Sequence, residues 1–247
     1  MTLSPAAPGL VSALAFAMLA GCASVNARNP EDPYENFNRQ MFAFNDNVDS
    51  AVFEPVAKGY RAVTNEPIRG GVSNFFDNLG EPVTFANEVL QGKVGNAAGT
   101  VGRFVINTTV GIAGIFNPAG AMGIARTEED FGQTLGAWGV NPGPYLVLPF
   151  LGSTNPRDLV GFGADRAMDP INYAEFENDD ETRIGLGIAR GISTREELIE
   201  TIENVRTQVD PYTTARRFYV RSRAGAIGNS APEPRTIEQV PDFELDF

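Results

Sequence analysis

Residues 32–48 read Asp-Pro-Tyr-Glu-Asn-Phe-Asn-Arg-Gln-Met-Phe-Ala-Phe-Asn-Asp-Asn-Val. Asp32-Pro33-Tyr34-Glu35 has the order of an N-cap, a proline at the first helical position and a capping-box acid. Tyr34, Phe37, Met41, Phe44 and Val48 then recur at helical spacing and make one apolar stripe. Asn38, Asn45 and Asn47 add polarity without charge. This stretch sets the expectation of a mainly α chain, because the same grammar repeats beyond it.

Toward the C-terminus, Pro55 and Pro67 punctuate the chain, and Ile68, Val72, Phe75, Phe76 and Leu79 form a second stripe. Glu81-Pro82 reads as the start of a third helix, with Gly92 as its C-cap. Residues 100–116, TVGRFVINTTVGIAGIF, are the most apolar part after the leader. They are too short and too interrupted for a spanning helix, so they either pack in a core or lie in a leaflet. Thr127-Glu128-Glu129-Asp130 is a capping box for a short helix ending near Trp138. Gly143-Pro144-Tyr145-Leu146-Val147-Leu148-Pro149-Phe150-Leu151-Gly152 brackets apolar residues with proline and glycine. That pattern calls for an extended hairpin, since each proline lacks a backbone donor. Asn155-Pro156-Arg157-Asp158 opens a helix to about Met168, which Asp169-Pro170 ends or turns. Residues 181–208 read as helical with a break near Gly191 and a fresh cap at Ser193 or Thr194. Asp210-Pro211-Tyr212 caps the last helix, which carries Arg216, Arg217, Arg221 and Arg223.

Toward the N-terminus, Leu10 to Ala20 is an apolar run of signal-peptide length. It leads into Leu19-Ala20-Gly21-Cys22, which resembles a bacterial lipobox, although the segment before Leu10 lacks the Lys or Arg of a basic n-region. Cys22 is the only cysteine, so no internal disulfide or thiolate metal cluster is expected, and its thiol is the expected site of lipidation. Ala23 and Ser24 follow it, without an Asp. The domain reading is 1–21 leader, 22–31 lipidated linker, 32–228 helical body, and 229–247 an acidic, Pro-containing disordered tail.

Chemistry narrows the function. A net charge of −12 argues against nucleic acid as a partner. Histidine is absent, which removes the commonest general base and metal ligand. Acidic runs at 128–130 and 179–181 sit at helix starts, where capping explains them. No G-x-S-x-G elbow or G-K-[ST] phosphate loop occurs. The chain is therefore not expected to be an enzyme, and no catalytic residue, cofactor or metal is assigned. The four arginines of the last helix either meet lipid phosphates or a partner, or form a solvated face; the solvated face is the simpler reading. The phenylalanine stripes fit either a core or acyl chains.

Several spaced motifs together resemble the MlaA (VacJ) lipoprotein family. They are Asn29 to Arg39 with Phe42-Ala43-Phe44-Asn45, Pro67-Ile68-Arg69, Ser73 to Leu79, Glu81-Pro82, and Asn87 with Leu90-Gln91-Gly92. Further matches are Gly102-Arg103-Phe104 with Asn107-Thr108 and Gly111, Phe131 to Gly136, Gly143 to Phe150, Arg157-Asp158, and Asp210-Pro211-Tyr212. They run in colinear order from Cys22 to about Arg223. The resemblance implies a ring of membrane-embedded helices in the inner leaflet of the outer membrane, with a central amphipathic channel. It implies passive removal of phospholipid misplaced in the outer leaflet, hand-over to the soluble periplasmic carrier MlaC, and association with a trimeric porin. By the same resemblance the hairpin gates the channel, with Tyr145 suited to its rim, and Phe42-Ala43-Phe44-Asn45 holds the channel state. A scaffold lipoprotein with no lipid path is the runner-up, and a lipid-modifying hydrolase a more distant third.

Overall fold

The computed structural model describes residues 29, 31–175 and 179–228. The leader, Cys22 and the tail from residue 229 lie outside the described residues. Helix α1 (Glu35–Val48) runs through one π-helical turn, Asp49–Phe53, into α2 (Glu54–Val63). Helix α3 (Glu66–Leu90) is followed by α4 (Val94–Thr109), the single turn α5 (Pro118–Ala121) and α6 (Phe131–Ala137). Strands β1 (Leu146–Leu148) and β2 (Gly152–Thr154) pair antiparallel, with Leu148 opposite Gly152 and Leu146 opposite Thr154. Helix α7 (Pro156–Met168), a 3-10 turn (Pro170–Asn172), α8 (Asp179–Glu197), α9 (Ile199–Arg206) and α10 (Pro211–Ile227) complete the described chain. The chain is mainly helical, and a hairpin forms at the bracketed run, with its second strand starting at Gly152 and continuing to Thr154 beyond the bracket.

Local chemistry explains most boundaries. Asn155 caps α7 by accepting from the Asp158 N–H at 2.9 Å, and Asp210 caps α10 by accepting from that of Thr213 at 3.1 Å. Gly92, at φ +73°, ends α3. The Lys93 N–H reaches back to the Glu88 carbonyl and the Gly92 N–H to that of Val89, the paired bonds of a Schellman motif.

Four local expectations are corrected. Asp32 is not an N-cap: α1 starts at Glu35 after a turn, because the Asp32 carboxylate is buried against Asn38 and Tyr212. Glu81-Pro82 does not open a new helix; Pro82 lies inside α3, next to a buried Glu81–Arg103 ion pair that ties α3 to α4 on that turn. The cap of α6 is Asp130, whose carboxylate accepts from the Gln133 N–H at 2.8 Å, while the Thr127 hydroxyl turns to Glu88. The last break falls at Leu198 and not at Gly191. A helical glycine costs about 1 kcal/mol without ending a helix. Downstream of Gly191, the ion pairs of Arg195 with Asp49 and of Glu196 with Arg61 hold the helix together as far as Glu197.

Helix α3 packs on α4, α6 on α7, α2 on α8, and α1 on the hairpin. The seams are polar and the outer faces apolar. On α4, Thr100, Arg103 and Asn107 are buried, while Val94, Val101 and Val105 are exposed. Residues 110–116 close α4 with a tight loop that leaves Val110, Ile112, Ile115 and Phe116 outward. From α3, Glu81 meets Arg103 in this seam, while Asn87 turns to Thr134 of α6 and Asp165 of α7, and Glu88 accepts from the Thr127 hydroxyl. Among the described residues, buried polar and charged side chains outnumber buried hydrophobic ones. No described helix is long and apolar enough to cross a membrane.

Candidate functional site

Two stretches singled out in the sequence meet in space. Asn38 and Asn45 lie two turns apart on one face of α1. The Asn38 carboxamide donates to the Tyr145 carbonyl at 3.0 Å and accepts from the Val147 N–H at 2.9 Å. The Asn45 carboxamide donates to the Leu148 carbonyl at 2.9 Å and accepts from the Phe150 N–H at 2.8 Å. Each amide thus satisfies a C=O and an N–H two residues apart, as a neighbouring strand would. Between these clamps, the Phe44 ring meets Phe150 edge-on, with centroids 5.5 Å apart. Phe42 packs edge-on against Tyr212 at 5.9 Å, and Ala43 is exposed.

The root and the tip of the hairpin differ. Tyr145, Val147 and Tyr212 form a buried cluster, with Met41, Phe42 and Tyr219 packed against it. The Tyr145 hydroxyl meets Ser153 Oγ at 2.7 Å. Tyr145 is therefore a core residue and not an exposed rim residue, because its ring is sandwiched by other aromatic groups. Leu146 and Leu148 are half-buried, Gly143 and Pro149 exposed, and Pro144 intermediate. Phe150 is 73% exposed, and Leu151 beside it is also exposed. Gly143 and Gly152 flank the segment at φ +75° and +78°, where a side chain would be strained.

Behind β2 lies an open amphipathic pocket of about 240 Å³. Leu151 and Phe162 give it apolar wall, and Asp130, Asp158, Asp165, Tyr219 and Arg223 give it polar wall. Arg223 donates to Asp158 at 2.8 Å and to Asp130 at 2.9 Å, and the Tyr219 hydroxyl donates to Asp158 at 2.5 Å. Burial pushes the Asp130 and Asp158 carboxyls up, but Arg223 and the neighbouring donors outweigh it, so both sit below the usual carboxylate range. Asp165 goes the other way. Burial raises it, and the amide of Asn87 and the N–H of Phe131 only partly offset that. Burial, with the Asp158 carboxylate, also raises the Tyr219 phenol.

The solvated-face reading of the α10 arginines is corrected for two of them. Arg223 sits in this network, and Arg216 is largely buried against Glu31. The sequence reading missed the clamp asparagines as a pair. Their signal was present in two uncharged polar residues two turns apart beside an apolar stripe.

The model of the MlaA lipoprotein family matches residues 30–226. The chain belongs to that family. The match takes in α1, the hairpin and nearly all of α10, hence both halves of the site. The Escherichia coli K12 intermembrane phospholipid transport system lipoprotein MlaA is 38% identical over 213 residues, covering 84% of this chain and 83% of that one. An uncharacterised Rickettsia prowazekii protein is 39% identical over 198 residues, covering 79% and 78%. A solved structure described as the structural basis for maintenance of bacterial outer membrane lipid asymmetry superposes with a TM-score of 0.70 at 36% identity. It covers 79% of this chain and 98% of that one. The family read from spaced motifs is thereby the family to which the chain belongs.

Proposed function

We propose that this MlaA-family chain is the lipid-anchored outer-membrane component of an intermembrane phospholipid transport system. It removes phospholipid misplaced in the outer leaflet by a passive route and hands it to a soluble periplasmic carrier. The observation that carries this reading is the inverted distribution of side chains, with polar groups in the seams and the pocket and apolar groups outside. Ordinary soluble domains seldom expose contiguous apolar surface beyond a few hundred Å². A zwitterionic head group crossing hydrocarbon unaided would leave its charges unpaired at high cost, so it needs a polar path. The open pocket lined by Asp158, Tyr219 and Arg223 together with Leu151 and Phe162 is amphipathic, as a surface that receives a head group and acyl chains would be. In this reading the helices form a ring in the inner leaflet, the Gly143–Gly152 hairpin gates the channel, and residues 42–45 hold its state. Cys22 carries the acyl chains, MlaC takes the lipid, and a trimeric porin holds the ring in place.

A null strain complemented with this chain tests the transport. Outer-leaflet phosphatidylethanolamine, labelled on intact cells by a membrane-impermeant amine reagent, should return to the low level of a normal envelope. Label that stays at the null-strain level while the protein reaches the outer membrane contradicts the proposal. For the anchor, Cys22→Ser should abolish palmitate labelling and leave unprocessed precursor; normal labelling of the variant rules Cys22 out.

A further inference from the structure

Arg61, Arg126, Arg195 and Arg206 each lie 2.6 Å from a carboxylate oxygen. Arg166, near the end of α7, and Arg190, on α8, are matched far more loosely. Among the described residues both pair only with Asp169, and with the same oxygen, Oδ2, at 3.4 and 4.0 Å. The second distance is beyond a hydrogen bond. Asp169 is buried, and its Oδ1 is already taken, accepting from the Ile171 N–H at 3.0 Å to cap the 3-10 turn. Two guanidiniums therefore share one carboxylate oxygen, and one positive charge is left over.

The two side chains flank a narrow cleft of about 20 Å³, floored by the buried Phe76 of α3 and Ile171 of the turn. Space of that size holds about one water or one oxygen atom. A third guanidinium on the cleft, Arg183, is committed to the wall: it donates to the Ile171 carbonyl at 3.2 Å and to the Ala174 carbonyl at 2.8 Å, pinning the turn to α8. Arg166 and Arg190 are instead exposed, so an anion can reach them from outside. Ile184 and Ile188, beside the cleft-lining face of α8, are exposed as well. One helix thus presents a loosely matched cation next to bare apolar side chains.

We propose that Arg166 and Arg190 form a binding site for the phosphodiester of a phospholipid, whose acyl part lies along Ile184 and Ile188. A phosphodiester carries one negative charge, which matches the one positive charge left over around Asp169. Guanidinium forks suit phosphate oxygens, and the charge-assisted bonds they make are stronger than neutral ones. One oxygen fits between the two arginines while the ester groups stay outside. The anion site follows from the charges alone; naming the phosphate as a lipid's rests on the function proposed above.

Native mass spectrometry of the full mature chain in detergent tests the site. The chain is mixed with equal amounts of phosphatidylglycerol and of diacylglycerol with the same acyl chains, which differ in the phosphate head group. The wild type should retain phosphatidylglycerol in preference. Arg166→Gln with Arg190→Gln should lower that preference roughly tenfold, the loss expected for one charge-assisted bond at an exposed site, and leave diacylglycerol retention unchanged. Arg190→Gln alone removes no hydrogen bond to a described residue and serves if the double variant does not fold; it should give a smaller fall in the same direction. Lys58→Gln with Arg126→Gln removes two exposed cations elsewhere and should change nothing. The site is overturned if the double variant keeps the wild-type preference, or if the Lys58 and Arg126 control loses it equally. Displacement of the lipid by an equal concentration of inorganic phosphate would overturn the lipid assignment, since the site would then read free phosphate. These ratios are independent of the surface-label assay for transport, so each reading can fail without the other.

Discussion

At the residue scale, the interior is held by charges that must be matched. Arg103 and Glu81 are both buried, 3.1 Å apart, and Arg103 also donates to the Ile124 carbonyl at 2.7 Å. Removing one partner leaves the other charge uncompensated, which typically costs about 3–5 kcal/mol, whereas replacing both can be neutral. Arg103→Met should therefore lower the unfolding midpoint in detergent sharply, and Arg103→Met with Glu81→Leu should recover much of it; equal loss in both variants contradicts this pairing. Acid should act at the α2–α9 contact. Hydrogen bonds from Lys58 and then Arg206 hold Glu54 down to about 2 from an ordinary 4.5. A depressed carboxylate contributes stability above its unfolded pKa and loses it as pH falls toward the folded one. Thermal midpoints should drop between about pH 4.5 and 2, and the drop should be shallower in Glu54→Gln. These roles were poorly legible in the sequence. Arg223 and Arg216 look like solvated cations at the end of a helix, and only the fold shows that α10 turns them onto Asp130, Asp158 and Glu31.

At the element scale, the sequence spoke clearly wherever the signal was local. Asn155-Pro156 and Asp210-Pro211 start helices because cap and proline act within one turn, and the bracketed hairpin is extended because Pro144 and Pro149 cannot serve a helix. It spoke poorly where packing overrides propensity. Pro82 stays inside α3 beside the Glu81–Arg103 pair, and the exposed Gly191 stays inside α8, whose next turn is tied to Asp49 and Arg61. The pairing of α6 with α7 is one such contact. A Cβ on Gly161 would lie 2.3 Å from the Gly132 nitrogen, a backbone atom that cannot swing aside. Gly161→Ala should cost about 1–3 kcal/mol as overpacking, read as a lower unfolding midpoint in detergent; a midpoint unchanged from wild type would mean the two helices are free to separate. Deleting Ala43 and Phe44 is a different perturbation. It rotates the upstream face of α1 by about 200° relative to the rest, at about 100° per residue, so Asn38 and Asn45 can no longer face the hairpin together. The deletion should be dominant and damaging to the outer membrane when expressed beside the wild-type chain. A recessive loss of function would point to misfolding.

At the scale of the whole molecule, the amphipathic stripes alone left two readings open, since a stripe of Phe and Val suits a protein core and acyl chains equally. The fold separates them by turning Thr100, Arg103 and Asn107 inward and Val94, Val101 and Val105 outward on a single helix. In the function proposed above, that outward apolar face meets lipid. Fluorescence quenching tests this directly, because Trp138 is the one tryptophan and can be exchanged for phenylalanine to clear the background. A tryptophan introduced as Val105→Trp in that background, with the full chain reconstituted in bilayers, should be quenched by lipids brominated along their acyl chains and shielded from aqueous iodide. One introduced as Glu203→Trp, at an exposed ion-pair position, should behave in the opposite way. If iodide quenches the residue at 105 and brominated lipid does not, the apolar face looks into water and the membrane-embedded account is wrong.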